Sequence, residues 1–501
     1  LGYGTDGLRS STQWMGPGLL ETSSFTHDLA GRPHTEERAG LTTTYGYTGD
    51  LLTSITPPTE HSHQLLWSVL GQDAGYLAPG DTIATQVTYT PGRRLQRVQF
   101  PSGRYMQYTY TGDKVTELET DRGSYHYSYD ADGQLGAAME PNGVETVFWR
   151  DGPLVRRIYT NKPSGDFEQL FLDYNADFGL ASYSDSGLEG GGTDLGYDDD
   201  GRLTSVHKYP ADFSLDYDTN HGLLKGTTLR RVNDLETSIV TDQSYNAYGE
   251  MNEYHAGVIA GGGNPVDIYS YKFADASGDT TAGRDAKGRI LKRQERIAVA
   301  AAAATRAFEY VYDAAGRLKR VTQDGQLAME LTYDDNGNRL SLTTPSGTVY
   351  GTYNERDQVT YYAGTSYTFD PDGYLQTATV EATGAQTQYD YDGFGSLRAV
   401  SLPDGRSITY AYDAQHRRIG KSVNGQSTYQ LSYGAGTMPI QQSHAGDEPD
   451  SFFIYGERGH VPSFMRRWIC TLEGDCDAAV YRFVTDHLGS VRLVVNVATA
   501  E

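Results

Sequence analysis

The stretch that decides the fold reads Tyr312-Asp313-Ala314-Ala315-Gly316-Arg317-Leu318, and it returns with one inserted residue from Tyr333 to Leu340. Further copies begin at Tyr353, Phe369, Tyr391 and Tyr412. The successive spacings are 21, 20, 16, 22 and 21 residues. A near-constant period of this length is typical of repeat proteins, in which every repeat is one small structural unit.

The same pattern continues through the N-terminal half of the chain. Clear copies begin at Tyr89, Tyr110, Tyr129, Trp149, Tyr197 and Tyr217. More degenerate copies begin at Phe25, Tyr47, Tyr174, Tyr245 and Arg284. Repeats therefore cover nearly all 501 residues.

Each part of the repeat has a physical reason. The aromatic residue ends an incoming strand, and the aspartate after it can accept hydrogen bonds from backbone amides further on, which forms an Asx-turn. Glycine supplies the positive φ that a tight turn requires. The alternating stretch from Arg317 to Thr322 is typical of a half-buried strand. A second turn at Gln323-Asp324-Gly325 leads to a returning strand from Leu327 to Tyr333, so each repeat is a long hairpin.

Stacked hairpins of this kind predict an all-β fold. One hairpin cannot bury its face alone, whereas neighbours placed edge to edge extend a continuous twisted sheet. Such a ribbon must curl, because twisted sheets of many strands roll up or close. The turns are too closely spaced for a parallel α/β fold. The sequence therefore predicts a spiral of antiparallel hairpins.

Composition limits the possible partners. Only 38% of residues are hydrophobic, whereas there are 58 glycines and 39 tyrosines, which suits sheets with one solvated face. The net charge of -24 repels nucleic-acid phosphates and anionic lipids. No apolar run reaches the length of a spanning helix, so no membrane span is predicted. The start at Leu1 is neither a methionine nor a signal peptide, which indicates a piece of a longer chain.

Two segments depart from the repeat. The segment 181–194 is rich in serine and glycine and is interpreted as a flexible loop. The segment 256–306 is interpreted as a distorted hairpin, in which the alanine run 298–304 forms either one helical turn or a plain strand.

The unit Tyr-Asp-x-x-Gly-Arg-Leu resembles the YD repeat of the RHS family, over essentially the full chain. The segment from Tyr481 to Val494 resembles the opening of the RHS-associated core region. We therefore expect a repeat domain over residues 1–480 and a truncated core region over residues 481–501. The family comprises bacterial RHS toxins, the B and C components of insecticidal toxin complexes, wall-associated contact toxins and teneurins.

This resemblance implies a hollow, barrel-like β-shell that encloses a cytotoxic polypeptide. In many members the remainder of the core releases the toxin by aspartyl self-proteolysis. The aspartates that perform this cleavage would lie beyond Glu501, so none can be assigned in this chain.

Several polar clusters superficially resemble functional sites, but each has a simpler interpretation. The acidic stretches Asp198-Asp199-Asp200-Gly201 and Asp334-Asp335-Asn336-Gly337 lack the alternating ligands and distal glutamate of a calcium loop, which favours turn capping. Asp486, His487 and Ser490 lack the strand–elbow–helix context of a nucleophile. We expect Asp486 and His487 to hold a turn or to dock the core region. No catalytic, cofactor-binding or metal-binding residue is assigned, and no cofactor is predicted.

The two cysteines, Cys470 and Cys476, flank a turn-like stretch. A local disulfide and two free thiols are both open alternatives. A zinc site with His460 or His487 would need spacings unlike those of compact structural zinc sites.

The predicted function is that of a structural shell of a secreted RHS-type polymorphic toxin, which encapsulates a C-terminal toxin or effector by steric confinement. The predicted partner is the C-terminal toxin of the parent polypeptide, and the predicted location is outside a bacterium or on its surface. The alternative is a teneurin-like barrel for cell-surface adhesion or carbohydrate binding, with surface glycans as partners. An enzyme is not predicted, although two of the 65 acidic residues could meet as a glycosidase pair.

Overall fold

The computed structural model describes residues 1–16, 19–161, 167–185, 192–275, 277–299, 302–434, 436–444, 450–470 and 476–500. These residues form 44 strands and one three-residue 3-10 helix at Thr280–Ala282. Within these ranges, no helix has the length and apolar character needed to cross a bilayer. The predicted all-β fold of antiparallel hairpins is confirmed.

The first twenty-two strands are β1 Gly2–Tyr3, β2 Arg9–Gly16, β3 Leu19–His27, β4 Pro33–Arg38, β5 Leu41–Thr48, β6 Leu51–Thr56, β7 His63–Trp67, β8 Asp73–Leu77, β9 Thr85–Tyr89, β10 Leu95–Gln99, β11 Tyr105–Thr111, β12 Lys114–Thr120, β13 Gly123–Tyr129, β14 Leu135–Met139, β15 Glu145–Asp151, β16 Leu154–Asn161, β17 Phe167–Tyr174, β18 Leu180–Asp185, β19 Thr193–Tyr197, β20 Leu203–Lys208, β21 Ala211–Tyr217 and β22 Leu224–Arg231. The remaining strands are β23 Asp234–Tyr245, β24 Met251–Ile259, β25 Val266–Lys272, β26 Lys292–Val299, β27 Ala302–Tyr312, β28 Leu318–Gln323, β29 Gln326–Tyr333, β30 Arg339–Thr344, β31 Gly347–Tyr353, β32 Val359–Tyr362, β33 Thr365–Phe369, β34 Leu375–Val380, β35 Ala385–Tyr391, β36 Leu397–Ser401, β37 Ser407–Tyr412, β38 Arg418–Val423, β39 Gln426–Tyr433, β40 Pro439–His444, β41 Ser451–Ile454, β42 Phe464–Cys470, β43 Cys476–Thr485 and β44 Val491–Asn496.

In several hairpins the register between the paired strands shifts at the aromatic residue of the repeat. β27 pairs antiparallel with β28, and its register shifts between Val311 and Tyr312. β29 and β30 shift in the same way at Tyr333, and β31 and β32 do so at Tyr353. A bulge of this kind bends a strand and increases its twist. Its recurrence at the repeat aromatic therefore gives successive hairpins a common bend.

The chain divides into two compact units. The first contains Leu1–Gly123, Phe273–Arg293 and Ala307–Ser407. The second contains Ser124–Lys272, Gln294–Arg306 and Ile408–Glu501.

In the first unit, turns that are distant in sequence are joined by polar contacts. The backbone amide of Ser102 donates to Asp372 Oδ1 at 2.7 Å across 270 residues. Arg122 donates to both carboxylate oxygens of Asp390 at 2.8 Å across 268 residues. These contacts show that, inside this unit, one stretch of the ribbon lies against another about 270 positions later.

In the second unit, the long-range contacts surround a denser core. Phe213 and Phe464 are fully buried, with ring centroids 5.6 Å apart. Ser432 donates to Glu168 at 2.7 Å across 264 residues, and Arg466 donates to the Tyr209 carbonyl across 257 residues. This unit therefore combines apolar packing with the same kind of long-range polar contact.

The two irregular segments contain more strand than the sequence suggested. β18 and β19 extend into both ends of the predicted loop 181–194, because the backbone of β18 pairs there with β17 and with β19. Residues 186–191 lie outside the described ranges. The segment 256–306 contains parts of β24 and β27, all of β25 and β26, and the short 3-10 helix. The described part of its alanine run is strand rather than helix.

The choice between a disulfide and two free thiols concerns the side chains of Cys470 and Cys476, which lie outside the described residues. The backbones of Cys470 and Cys476 are paired in register across β42 and β43. The domain boundary between residues 480 and 481 stays a prediction.

Candidate functional site: the repeat turn and a buried arginine cluster

The repeat turn is closed by one aspartate. At Asp313 the backbone amide donates to the Arg317 carbonyl at 2.8 Å, and the Gly316 amide donates back to the Asp313 carbonyl at 2.9 Å. The carboxylate adds two bonds, since Oδ1 accepts from the Arg317 amide at 2.8 Å and Oδ2 accepts from the Arg317 guanidinium at 2.7 Å. Gly316 has φ +80, a conformation that favours glycine. Aspartate, glycine and arginine thus each have a fixed role.

The arginine and the aromatic residue join one repeat to the next. The Arg317 guanidinium lies 4.8 Å from the centre of the Tyr333 ring and donates to the Asp334 carbonyl at 2.6 Å. The Tyr333 hydroxyl donates in return to the Leu318 carbonyl at 2.7 Å. Cation–π contact and two hydrogen bonds therefore connect this turn to the following strand. We call this arrangement the turn clamp.

The turn clamp recurs along the chain in both units. The arginine covers the next aromatic ring in the pairs Arg32–Tyr47, Arg94–Tyr110, Arg202–Tyr217, Arg289–Tyr312 and Arg417–Tyr433, at 4.2 to 5.3 Å. The hydroxyl reaches back to the preceding turn from Tyr110, Tyr197, Tyr217, Tyr312 and Tyr433, at 2.7 to 2.9 Å. The repeated sequence pattern is therefore a repeated bonding pattern.

The turn clamp also changes proton affinities. The hydrogen bond from the Arg32 side chain is the main cause that lowers the pKa of Asp28, and the Arg202 backbone amide does the same for Asp198. Burial raises the pKa of Tyr433, and it raises the pKa of Tyr455 to about 12. These shifts favour the ionised carboxylates of Asp28 and Asp198 and the neutral hydroxyls of Tyr433 and Tyr455.

The C-terminal segment contains another copy of the same turn. The Asp486 amide donates to the Ser490 carbonyl at 2.9 Å, and the Gly489 amide donates to the Asp486 carbonyl at 3.0 Å. Asp486 Oδ1 accepts from the amides of Leu488 and Ser490, both at 3.0 Å. The His487 ring lies 5.8 Å from the Tyr271 ring. Asp486 thus caps a turn, which was one of the two roles expected for it from the sequence. This copy of the repeat turn was not recognised in the sequence because Thr485 stands where the other copies have an aromatic residue.

The acidic stretches considered as calcium loops are also repeat turns. Asp198 Oδ2 accepts from the Arg202 side chain at 2.8 Å, and Asp334 accepts from the amide and the side chain of Asn338. Both carboxylates are used within their own turns. Among the described residues, no group of three or more His, Cys, Asp or Glu side chains is arranged to hold a metal ion.

A buried arginine cluster in the second unit was not predicted. Arg482 is fully buried, donates to the Ser463 carbonyl at 2.5 Å and pairs with Glu457. Thr227 lies within 3.2 Å of the guanidinium and donates to Glu457 at 3.0 Å. The Phe213 ring centre lies 5.2 Å from the Arg482 guanidinium carbon. Since an unpaired charge is costly in such surroundings, these partners stabilise the folded unit.

A sequence signal for this cluster does exist. Val480, Arg482 and Val484 alternate along β43, and all three side chains have no exposed surface. An arginine at a position whose neighbours on the same face are valines should be read as a buried, paired charge.

A second buried acid, Glu295, accepts from the Tyr269 hydroxyl at 2.8 Å and pairs with Arg492 at 3.1 Å.

Comparison with known proteins gives consistent matches. Residues 266–500 match the family described as Teneurin YD-shell. Teneurin-4 from Mus musculus is 25% identical over 442 residues, which covers 82% of this chain and 14% of teneurin-4. The tRNA nuclease WapA from Bacillus subtilis (strain 168) is 28% identical over 154 residues, which covers 30% of this chain and 6% of WapA.

A crystal structure of TcdB2-TccC3 without its hypervariable C-terminal region is similar with a TM-score of 0.49 and 12% identity, over 96% of this chain and 34% of that one. The chain spans about one seventh of the length of the teneurins that it matches.

Proposed function

We propose that this chain, which belongs to the RHS/YD-repeat family, is a structural wall that confines a polypeptide effector. The observation that carries the proposal is the turn clamp. Because clamped hairpins are fixed to their neighbours by bonds between adjacent turns, the ribbon can add hairpins one after another without packing each of them into a single central core. A protein built in this way is suited to surround space.

Contacts inside each unit support a wall that returns on itself. In the first unit, Thr59 and Asn336 are bonded across 277 residues. In the second, Glu168 and Ser432 are bonded across 264 residues. The similar offsets are what a ribbon of constant curvature would give when its later course lies beside its earlier one. Confinement would then act sterically, because the wall would keep proteases from reaching the effector and would keep the effector from reaching its targets.

The proposed partner is a C-terminal toxin or effector of the parent polypeptide, and the proposed location is outside a bacterium or on its surface. WapA is named as a tRNA nuclease, yet its match with this chain covers only 6% of its length. We assign this chain to confinement rather than to chemistry on RNA. The net charge of -24 supports this assignment, because it repels phosphate backbones.

A shape measurement tests the proposal. Electron microscopy or small-angle scattering of the purified chain should show a solvent-filled interior. The chain should also protect a co-expressed C-terminal effector from added protease. A compact particle without internal space, together with an effector that is digested at the same rate with and without the chain, would refute confinement.

The proposed wall acts without catalysis. Purified chain should leave glycan substrates unhydrolysed over long incubations. Turnover that persists in a purified preparation and is removed by substitution of one pair of acidic residues would assign the chain an enzymatic role.

A further inference from the structure

The first unit consists of two courses of the ribbon. The early course is Leu1–Gly123, and the late course is Phe273–Arg293 together with Ala307–Ser407. Strand pairing within each course joins strands that are consecutive in the chain, as β5 with β6 in the early course and β29 with β30 in the late course. Among the described residues of this unit, no strand register joins the early course to the late course. Backbone ladders therefore hold each course together, but they do not hold the two courses to each other.

Side chains at turns join the two courses instead. Arg104 of the early course lies between two carboxylates of the late course, 2.8 Å from Asp370 and 2.7 Å from Asp372. Asp372 also accepts from the backbone amide of Ser102 at 2.7 Å. We call this boundary the ionic seam, and its further contacts are Glu21 with Lys287 and Arg289, Asp81 with Arg356, Arg122 with Asp390, and the neutral pair Thr59 with Asn336.

Apolar burial contributes less to the first unit than to the second. Among the described residues, the buried hydrophobic residues of the first unit are Ala78, Leu118, Phe273, Ala274, Val321, Leu331 and Val400, and the others lie in the second unit. Since a unit with few buried apolar contacts opens locally at low cost, the first unit depends more on its polar bonds.

The contacts of the ionic seam differ in strength. Arg122 and Asp390 are 36% and 53% exposed, and ion pairs with such exposure contribute little. Asp372 is only 2% exposed, so its bonds to Arg104 and Ser102 should contribute most to closure. The seam is therefore a boundary of low stability between two courses that their own ladders stabilise.

We propose that the two courses separate along the ionic seam as a single event, while the hairpins on both sides stay folded. Because the ladders run within the courses, the separation breaks no strand pair. Because the contacts lie along the same two courses, loss of one contact weakens closure at the others. In a wall that confines a polypeptide, such an opening would let the polypeptide pass without unfolding of the repeats. That use depends on the proposed function, whereas the opening itself does not.

Hydrogen exchange of two backbone amides reports the opening directly. The amides of Thr59 and Ser102 donate across the seam, the first to Asn336 at 3.1 Å and the second to Asp372 at 2.7 Å. Mass spectrometry of the full chain follows their exchange, and the ladder amides of β5, β6, β29 and β30 report whether the hairpins stay folded. We expect both seam amides to be protected to a similar degree and to exchange faster than the ladder amides.

Asp372→Ala tests whether the seam opens as one event. It should raise the exchange rate of the Ser102 amide at least about tenfold, since the charge-assisted bonds of the carboxylate are lost. The Thr59 amide, whose own acceptor Asn336 is unchanged, should accelerate as well, and the ladder amides should keep their rates.

Asp404→Ala is the matched control. Asp404 also stands between a proline and a glycine, but it accepts from the amide and the side chain of Arg406 within its own turn. This substitution should leave the exchange of both seam amides unchanged.

Arg122→Gln gives a second variant, at an exposed seam pair where the fold tolerates substitution. It should raise both exchange rates several-fold, and it maintains the test if Asp372→Ala does not fold. The proposal is overturned if the Thr59 amide keeps its original rate in the folded variants, or if the ladder amides accelerate as much as the Thr59 amide does.

Discussion

Removal of the arginine from one turn clamp should destabilise that hairpin junction by an amount that the structure allows us to estimate. Arg317→Ala deletes the ion pair with Asp313, whose side chain is 20% exposed, the hydrogen bond to the Asp334 carbonyl and the contact with the Tyr333 ring. A surface pair contributes about 0.5 kcal/mol, a hydrogen bond about 1 kcal/mol and an exposed cation–π contact about 0.5 kcal/mol. The expected loss is therefore about 2 kcal/mol.

Hydrogen exchange of the backbone amides in β28 to β30 is the appropriate assay, because repeat arrays open locally before they unfold globally. Tyr333→Phe should cost about 1 kcal/mol, since it deletes only the bond to Leu318. Tyr333→Leu removes the aromatic ring as well, so a double-mutant cycle of Tyr333→Leu with Arg317→Ala should give a coupling of about 0.5 to 1 kcal/mol, which reports the ring contact.

Two matched controls separate the clamp from general effects of substitution. Tyr350→Phe alters a tyrosine that is 64% exposed, and Arg406→Ala deletes an exposed pair with Asp404. Both should change stability by less than about 0.5 kcal/mol. If Arg317→Ala behaves like Arg406→Ala, or if the cycle gives no coupling, then the clamp does not hold adjacent repeats together.

Three further predictions concern charge. Folding lowers the pKa values of Asp28 and Asp198. Their ionised carboxylates therefore stabilise the folded chain fully above the unfolded pKa of about 4, and this stabilisation is lost as pH falls through the folded pKa values. Circular dichroism should show acid unfolding in that pH range. Folding raises the pKa values of Tyr433 and Tyr455, so their neutral hydroxyls stabilise the folded chain fully below the unfolded pKa of about 10, and this stabilisation is lost as pH rises through the folded pKa values. Tyrosinate absorbance should rise together with loss of β-sheet. A titration that matches that of free tyrosine would contradict this prediction. Glu457→Gln leaves the buried Arg482 charge without its counter-ion and should cost about 3 to 5 kcal/mol in thermal or urea unfolding, against less than about 0.5 kcal/mol for Glu309→Gln at an exposed site.

Local features of the fold were predictable because the repeat encodes them locally. The hydrogen bonds of Asp313 reach no further than Arg317, and the positive φ of Gly316 belongs to the same turn. A reader of the sequence can therefore place the turns and the hairpins. Two copies with substituted residues, Trp67-Ser68 and Thr485-Asp486, were not recognised in the sequence. Serine replaces the aspartate in the first and threonine replaces the aromatic residue in the second, yet both keep the turn geometry.

Contacts between distant repeats could not be predicted in the same way. Whether Ser102 meets Asp372 depends on the accumulated bend of all the hairpins between them, and small bends at each bulge determine where the ribbon returns. The partners of Arg482 have the same origin, since Thr227 is 255 residues away. The alternation of Val480, Arg482 and Val484 could have shown that the arginine is buried, but not what it contacts.

The clamp that joins only adjacent hairpins has a consequence for how such a gene can lengthen. Duplication of a segment that codes for one whole hairpin reproduces every arginine–tyrosine junction, so the inserted piece is stabilised at both of its borders from the start. The long-range bonds, such as Thr59 to Asn336, would each lose their register and would have to be replaced by new residue pairs. Tandem duplication should therefore preserve the Tyr-Asp-x-x-Gly-Arg-Leu pattern faithfully, whereas residues at these distant bonds diverge quickly between relatives of different repeat number.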